Sequence, residues 1–188
     1  MVLLAIAGGS LLAIAATPVW RATDDPAIPP RIPAAFPATW RYPAGAHASF
    51  AAHAMVASDS RIAAEVGMQV MKDGGNAVDA AVATGFALAV AYPEAGNLGG
   101  GGYMVIRMAD GRVAALDYRE IAPLAATRDM YIGPDGKVTD QSVIGPKASG
   151  VPGAVAGMLE AHRKFGVLPI TKVLAPAIRL ASEGFVVD

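Results

Sequence analysis

A chain of 188 residues has the length of roughly one domain, and 54% hydrophobic against 16% charged side chains give ample material for a core. Lys+Arg 15 against Asp+Glu 16 leaves a net charge of −1 and no basic cluster, which argues against a polyanion-binding surface and against nucleic acid as a partner. With no cysteine, disulfides and thiolate metal sites are excluded.

The N-terminus opens the reading in chain order. Met1 to Trp20 carries no charged side chain, and Val2 to Ala16 is almost wholly apolar. Ala13-Ile14-Ala15 places small residues at alternate positions, as a signal-peptide cleavage site requires, although no Lys or Arg precedes the apolar run. Residues 1–16 are therefore expected to be a signal peptide, which implies a periplasmic or secreted protein. The competing expectation is an uncleaved membrane anchor, since about 20 residues can just span a bilayer. Gly8, Gly9, Ser10 and Pro18 make such a helix less attractive. Residues 17–46 follow as a proline-rich linker or arm, with Pro26, Pro29, Pro30, Pro33, Pro37 and Pro43 and no periodicity. Trp40 and Tyr42 are placed to pin its end to the folded part, 47–188, which starts near His47.

From there the signals are regular. Ser58 and Asp59 are candidate caps for a helix with Ile62, Ala63, Val66, Val70 and Met71 at helical spacing, stopped by Gly74-Gly75. Asn76 caps a second helix, 77–91, apolar nearly all round and so buried on more than one face. Gly99 to Gly102 lead into a strand from Tyr103 to Met108, and Asp110-Gly111 forms the tight turn into a second strand, Val113 to Tyr118. Turns and breakers fill 123–153. Pro152 suits the first turn of a helix from about Gly153 to Lys164, closed by Gly166. Thr171 is the expected cap of a last helix through Ala181, stopped by Gly184. Two helices, a hairpin and two more helices make an α+β layered domain that is short of strands for an independent sheet.

Among chemical motifs, the glycine run fails as a phosphate loop because it follows an apolar helix, opens a strand and is succeeded by Tyr103 and Met104. Close backbone packing is the better role for most of those glycines. His47, His53 and His162 are scattered and set up no metal site; His162 suits the negative end of its helix. No serine stands in an elbow context, and Thr84, Thr127, Thr139 and Thr171 read as helix, turn or cap residues. Arg119 remains. At the end of a strand beside the glycine run it is placed to grip a carboxylate through its planar fork, or else to pair with Asp117 or Glu120 as a surface salt bridge.

Several collinear motifs resemble the gamma-glutamyltransferase family. They are Gly74-Gly75-Asn76-Ala77-Val78-Asp79-Ala80-Ala81, Gly96-Asn97-Leu98-Gly99-Gly100-Gly101-Gly102-Tyr103 and Arg119-Glu120-Ile121-Ala122-Pro123. Val151-Pro152-Gly153, Pro176-Ala177-Ile178-Arg179-Leu180-Ala181 and Gly184-Phe185 extend the resemblance from about His53 to the last residue. It implies an N-terminal-nucleophile hydrolase, a four-layer αββα sandwich of which this chain carries part, and a precursor that cuts itself into a large and a small subunit. It further implies cleavage of glutathione and other γ-glutamyl compounds through a threonine acyl-enzyme, with transfer to water or an amino acid and no cofactor. By the motif, Arg119 is the residue that holds the α-carboxylate of the γ-glutamyl group. The chain corresponds to the front of the large subunit, so the nucleophile, the oxyanion hole and the small-subunit partner are expected outside it, and no catalytic residue within it. A cephalosporin or glutaryl acylase of the same fold is the alternative enzyme, and a non-catalytic remnant or partner subunit the alternative of another class.

Overall fold

The computed structural model describes residues 2–7, 10–15 and 49–187. The proline-rich stretch, with Trp40 and Tyr42, and His47 lie outside the described residues. The chain divides into two compact units, Met1–Met55 with Arg107–Val113, and Val56–Ile106 with Ala114–Asp188. In the first, β1 (Val2–Ala7) and β2 (Ser10–Ala15) run antiparallel with Val2 opposite Ala15. Among the described residues no helix is long and apolar enough to cross a membrane.

The second unit is built on four helices. Helix α1 (Arg61–Lys72) is capped one residue beyond Asp59 and two beyond Ser58, its expected caps: Ser60 is the N-cap, its hydroxyl accepting from the Ala63 N–H, while the Ser58 hydroxyl receives the Ser60 amide. The correction is geometric, since only the residue directly before the first helical turn can reach the N3 amide. Asp73 closes the helix, and Gly74, at φ +95°, turns the chain so that Gly74 and Gly75 donate to Met71 and Val70. Such a paired closure favours glycine at the left-handed position.

Helix α2 (Ala77–Ala91) starts after Asn76 as its sequence predicts and packs against α1, α3 (Ala154–Phe165) and α4 (Ile170–Glu183). Its all-round apolarity is used: Val78, Ala80, Val82, Ala83 and Ala87 are buried on several sides. Ala63 of α1 and Ala177 of α4 meet Ala87 at the centre, flanked by Val66, Phe86, Leu88 and Leu180. Small residues at the crossings let the helices approach closely; Gly67 leaves just enough room for the buried Thr84 hydroxyl.

Two expected helix starts differ from those observed. Pro152 stands before the N-cap, Gly153, rather than inside the first turn of α3. Thr171 lies inside α4, whose N-cap is Pro169 at φ −58°, a value its ring imposes. Pro176 is tolerated within α4, and Gly184 ends it at φ +80°.

The strands β3 (Tyr103–Arg107) and β4 (Val113–Asp117) form the expected hairpin. Gly102 and Tyr118 exchange both backbone hydrogen bonds, at 3.3 and 3.0 Å, which sets an antiparallel register. Period-two alternation then gives the hairpin two unlike faces. Met104, Ile106, Ala114, Leu116 and Tyr118 are sheltered, whereas Tyr103, Val105 and Val113 are 64%, 76% and 54% exposed. The fold is mixed helix and strand, with one face of its hairpin left apolar and open.

Candidate functional site

The glycine run and the end of β4 pack backbone against backbone. A Cβ on Gly101 would stand 2.5 Å from the Tyr118 carbonyl oxygen, 2.7 Å from the Glu120 nitrogen and 2.8 Å from the Arg119 carbonyl carbon. Only a residue without a side chain fits there, because none of those atoms belongs to a side chain that could swing aside. The Gly100 carbonyl, in turn, accepts from Gly153 and Ala154 at 3.0 and 2.9 Å, so the loop caps the first turn of α3. Downstream of Arg119, Ile121 and Val151 pair as an antiparallel bridge. Loop, strand end and helix start are thereby tied into one corner.

Arg119 leaves that corner on the open face of the hairpin. Its guanidinium carbon lies 5.9 Å from the centre of the Tyr103 ring, within cation–π range. Of its two expected partners, Glu120 makes the ion pair, Nε to Oε2 at 3.4 Å, with the two side chains 61% and 36% exposed. Asp117 instead accepts the Arg119 backbone amide at 3.0 Å. A single long contact in water holds a guanidinium weakly. No other described carboxylate pairs with Arg119, so its fork is available to a ligand.

Tyr118 points the other way. Its ring seats against α3 where Gly157 has no side chain, and a Cβ there would collide with Tyr118 Cβ, Cγ and Cδ1. Burial raises the Tyr118 phenol above its ordinary pKa. This seat was not legible as a site element, although Gly153 and Gly157 stand four apart, the spacing that marks a close-approach face of a helix.

A second polar cluster joins α2 to the α3–α4 connection. Asp79, fully buried, completes a capping box by accepting from the Asn76 amide at 2.8 Å, and also accepts from the amides of Val167 and Leu168. Asn76 Nδ2 donates to the Phe165 carbonyl at 2.6 Å. His162 is 13% exposed, with Nε2 2.8 Å from the Leu168 carbonyl and 3.5 Å from Asp79 Oδ1. A carbonyl only accepts, so that nitrogen carries a proton. His162 stands in the last turn of α3, as its sequence suggests, and its ring is in addition a largely buried part of this connection. Its neighbours are backbone and side-chain groups of the helix ends and of the α3–α4 connection.

Residues 63–188 match the family model described as gamma-glutamyltranspeptidase. The chain belongs to the gamma-glutamyltranspeptidase family. It is 55% identical over 131 residues to a glutathione hydrolase proenzyme of Pseudomonas aeruginosa, covering 69% of this chain and 23% of that protein. To the acylase ACY 1 proenzyme of a Pseudomonas species it is 47% identical over 140 residues, covering 71% and 25%. Among solved structures, the gamma-glutamyltranspeptidase of Helicobacter pylori superposes with a TM-score of 0.68 at 48% identity, over 70% of this chain and 38% of that one. The chain thus spans about a quarter of the length of these curated relatives.

Within this gamma-glutamyltranspeptidase segment the residues that chemistry favours come together unequally. Arg119 meets Tyr103 and Glu120 just beyond the end of β4, and the glycine run packs against the backbone there. Thr84, Thr139 and Thr171 are parts of helix or turn structure, Thr139 Oγ1 donating to the Tyr131 carbonyl at 3.0 Å. A groove of about 420 Å³ between α1 and α4, walled by Gln69, Asp73, Lys172 and Arg179, includes none of the Arg119 corner. Among the described residues no cluster of His, Asp and Glu could hold a metal ion.

Proposed function

We propose that this chain is the front of the large subunit of a γ-glutamyltransferase, or glutathione hydrolase, and that Arg119 binds the α-carboxylate of the γ-glutamyl donor. The complete precursor cuts itself into two subunits and cleaves γ-glutamyl amides through a threonine acyl-enzyme, passing the γ-glutamyl group to water or to an amino acid. The observation that carries the reading is the Arg119 corner: a guanidinium with one weak partner, on an exposed face, held by a loop that only glycine can form. A planar fork matches a carboxylate by two parallel hydrogen bonds, and fixing that end of the donor positions the γ-amide for attack.

The open face of the hairpin supports the finer fold as well. Two strands with an exposed apolar side do not make a stable sheet alone. In the reading offered here they belong to an αββα sandwich of the N-terminal-nucleophile hydrolase type, with α1 to α4 as one outer layer and the second sheet covering Tyr103, Val105 and Val113. The small subunit is then the partner. Residues 1–16 serve as a signal peptide, 17–46 as a linker and 47–188 as the folded portion, which sends the protein to the periplasm or outside the cell. Identity to the glutathione hydrolase exceeds identity to the acylase, which favours glutathione and related γ-glutamyl compounds over a glutaryl side chain.

Arg119→Lys in the complete precursor tests the assignment. It keeps the charge and loses the fork. Loss of a charge-assisted contact lowers kcat/KM for a chromogenic γ-glutamyl anilide by roughly tenfold to a hundredfold, mostly through KM. An unchanged KM together with a lower melting temperature would mean that Arg119 serves only its ion pair with Glu120. Residues 1–188 alone are expected to release no chromophore.

A further inference from the structure

We infer that Tyr118 is a positioning residue for donor binding: its ring, wedged against the bare backbone of Gly157 on α3, sets the direction in which Arg119 leaves β4. The inference rests on the role proposed for Arg119 and adds residues that no sequence motif marks. Tyr118 and Arg119 are consecutive just past the end of β4, where Tyr118 still exchanges both ladder hydrogen bonds with Gly102, and Tyr118 is sheltered while Arg119 is exposed. Whatever fixes one fixes the other.

Tyr118 is fixed from three directions. Its N–H and C=O are both bonded to Gly102, at 3.0 and 3.3 Å. Its ring lies over Gly102, where a Cβ would stand 3.1 Å from Cε2. On the far side the ring fills the gap at Gly157, and its carbonyl fills the gap at Gly153, each too tight for a methyl group. The start of α3 is itself held by the Gly100 carbonyl, so the helix cannot back away without breaking the loop. The Arg119 backbone amide donates to Asp117, but its guanidinium has no comparable restraint, with only the exposed Glu120 contact and the Tyr103 ring beside it. Its aim therefore depends on the wedge.

The dependence is measurable in the complete precursor with a γ-glutamyl anilide as donor and a dipeptide as acceptor. Gly157→Ala displaces the ring, and Tyr118→Ala removes it; each raises the donor KM about tenfold, as misplacement of a binding group does, and leaves the acceptor KM unchanged. Tyr118→Phe keeps the wedge and the wild-type KM. In an Arg119→Lys background the same substitutions add little, because residues acting through one contact are not additive. A donor KM that stays at the wild-type value in Tyr118→Ala and Gly157→Ala, while Arg119→Lys raises it, overturns the positioning role alone. Full additivity with Arg119→Lys overturns it too. If Arg119→Lys also leaves the donor KM unchanged, the carboxylate assignment falls and this inference falls with it. Should Gly157→Ala fail to fold, Tyr118→Ala and Tyr118→Phe decide the matter by the same readout.

Discussion

The Asn76–Asp79 end of α2 and the Gly99–Glu120 corner are both polar junctions between distant segments, yet they are built in opposite ways. At the first, a fully buried carboxylate meets three backbone amides and a histidine, so each polar group faces inward and is satisfied. At the second, the backbone is packed tightly through glycine while the charged groups, Arg119 and Glu120, are left in water. Buried polar groups that are fully paired specify a fold, whereas an under-paired cation on a rigid support is suited to a ligand. The contrast separates the part of this chain that holds shape from the part that offers chemistry.

Substitutions at the two junctions sharpen that separation. Asp79→Ala has the largest expected effect: it removes the Asp79 half of the α2 capping box and strands the Asn76, Val167 and Leu168 amides, costing about 2–4 kcal/mol of stability. Urea unfolding of the complete protein measures it, and donor KM is expected to hold in whatever fraction remains folded. Gly101→Ala comes next. The new methyl pushes on backbone atoms of Tyr118, Arg119 and Glu120, an overpacking cost of about 1–3 kcal/mol, and it raises donor KM as well because Arg119 moves. A stability loss at Asp79 accompanied by a matching rise in KM would erase the distinction between the regions.

The smallest effect lies outside both. Glu160, on the surface of α3, is held at about 2 by hydrogen bonds from Arg163 and Lys164, below its ordinary 4.5. A carboxylate depressed in the folded state contributes stability above the unfolded pKa and loses it as the pH falls through the folded one. Glu160→Gln is therefore expected to leave the melting temperature at pH 7 within measurement error, as exposed ion pairs do, and any small difference to vanish by about pH 2. A large drop at pH 7 would show a structural weight that its position in water does not predict.

Much of the frame was legible because its signals are local. Asn76, a nearly all-apolar run and the break before Pro93 define α2 to the residue, and Asp110-Gly111 predicts the hairpin turn, where Gly111 adopts φ +87°. Helix starts were less legible. Ser60 won over Ser58 and Asp59, and Pro169 over Thr171, since the choice depends on how the preceding chain enters the helix. Arg119 stood out through its motif, but Asp117 as its ion-pair partner did not hold, because that carboxylate turns back to the Arg119 amide. The packing roles of Asp79, named only within a motif, and of Tyr118, named only as a strand end, were not legible for a common reason. Their partners lie far along the chain, at Val167 and Gly157, and no periodicity connects residues that meet only after the helices have packed.

The carboxylate assignment of Arg119 is tested most directly by varying the ligand together with the residue. Wild-type and Arg119→Lys precursors are compared on a γ-glutamyl anilide and on the matching 4-aminobutanoyl anilide, which lacks the α-carboxylate. If Arg119 grips that group, the substitution lowers kcat/KM roughly tenfold to a hundredfold on the first donor and leaves the already poor second donor unchanged, a coupling of about 1.5–3 kcal/mol. An equal loss on both donors would contradict the assignment and place the effect of Arg119 in the fold instead of the substrate.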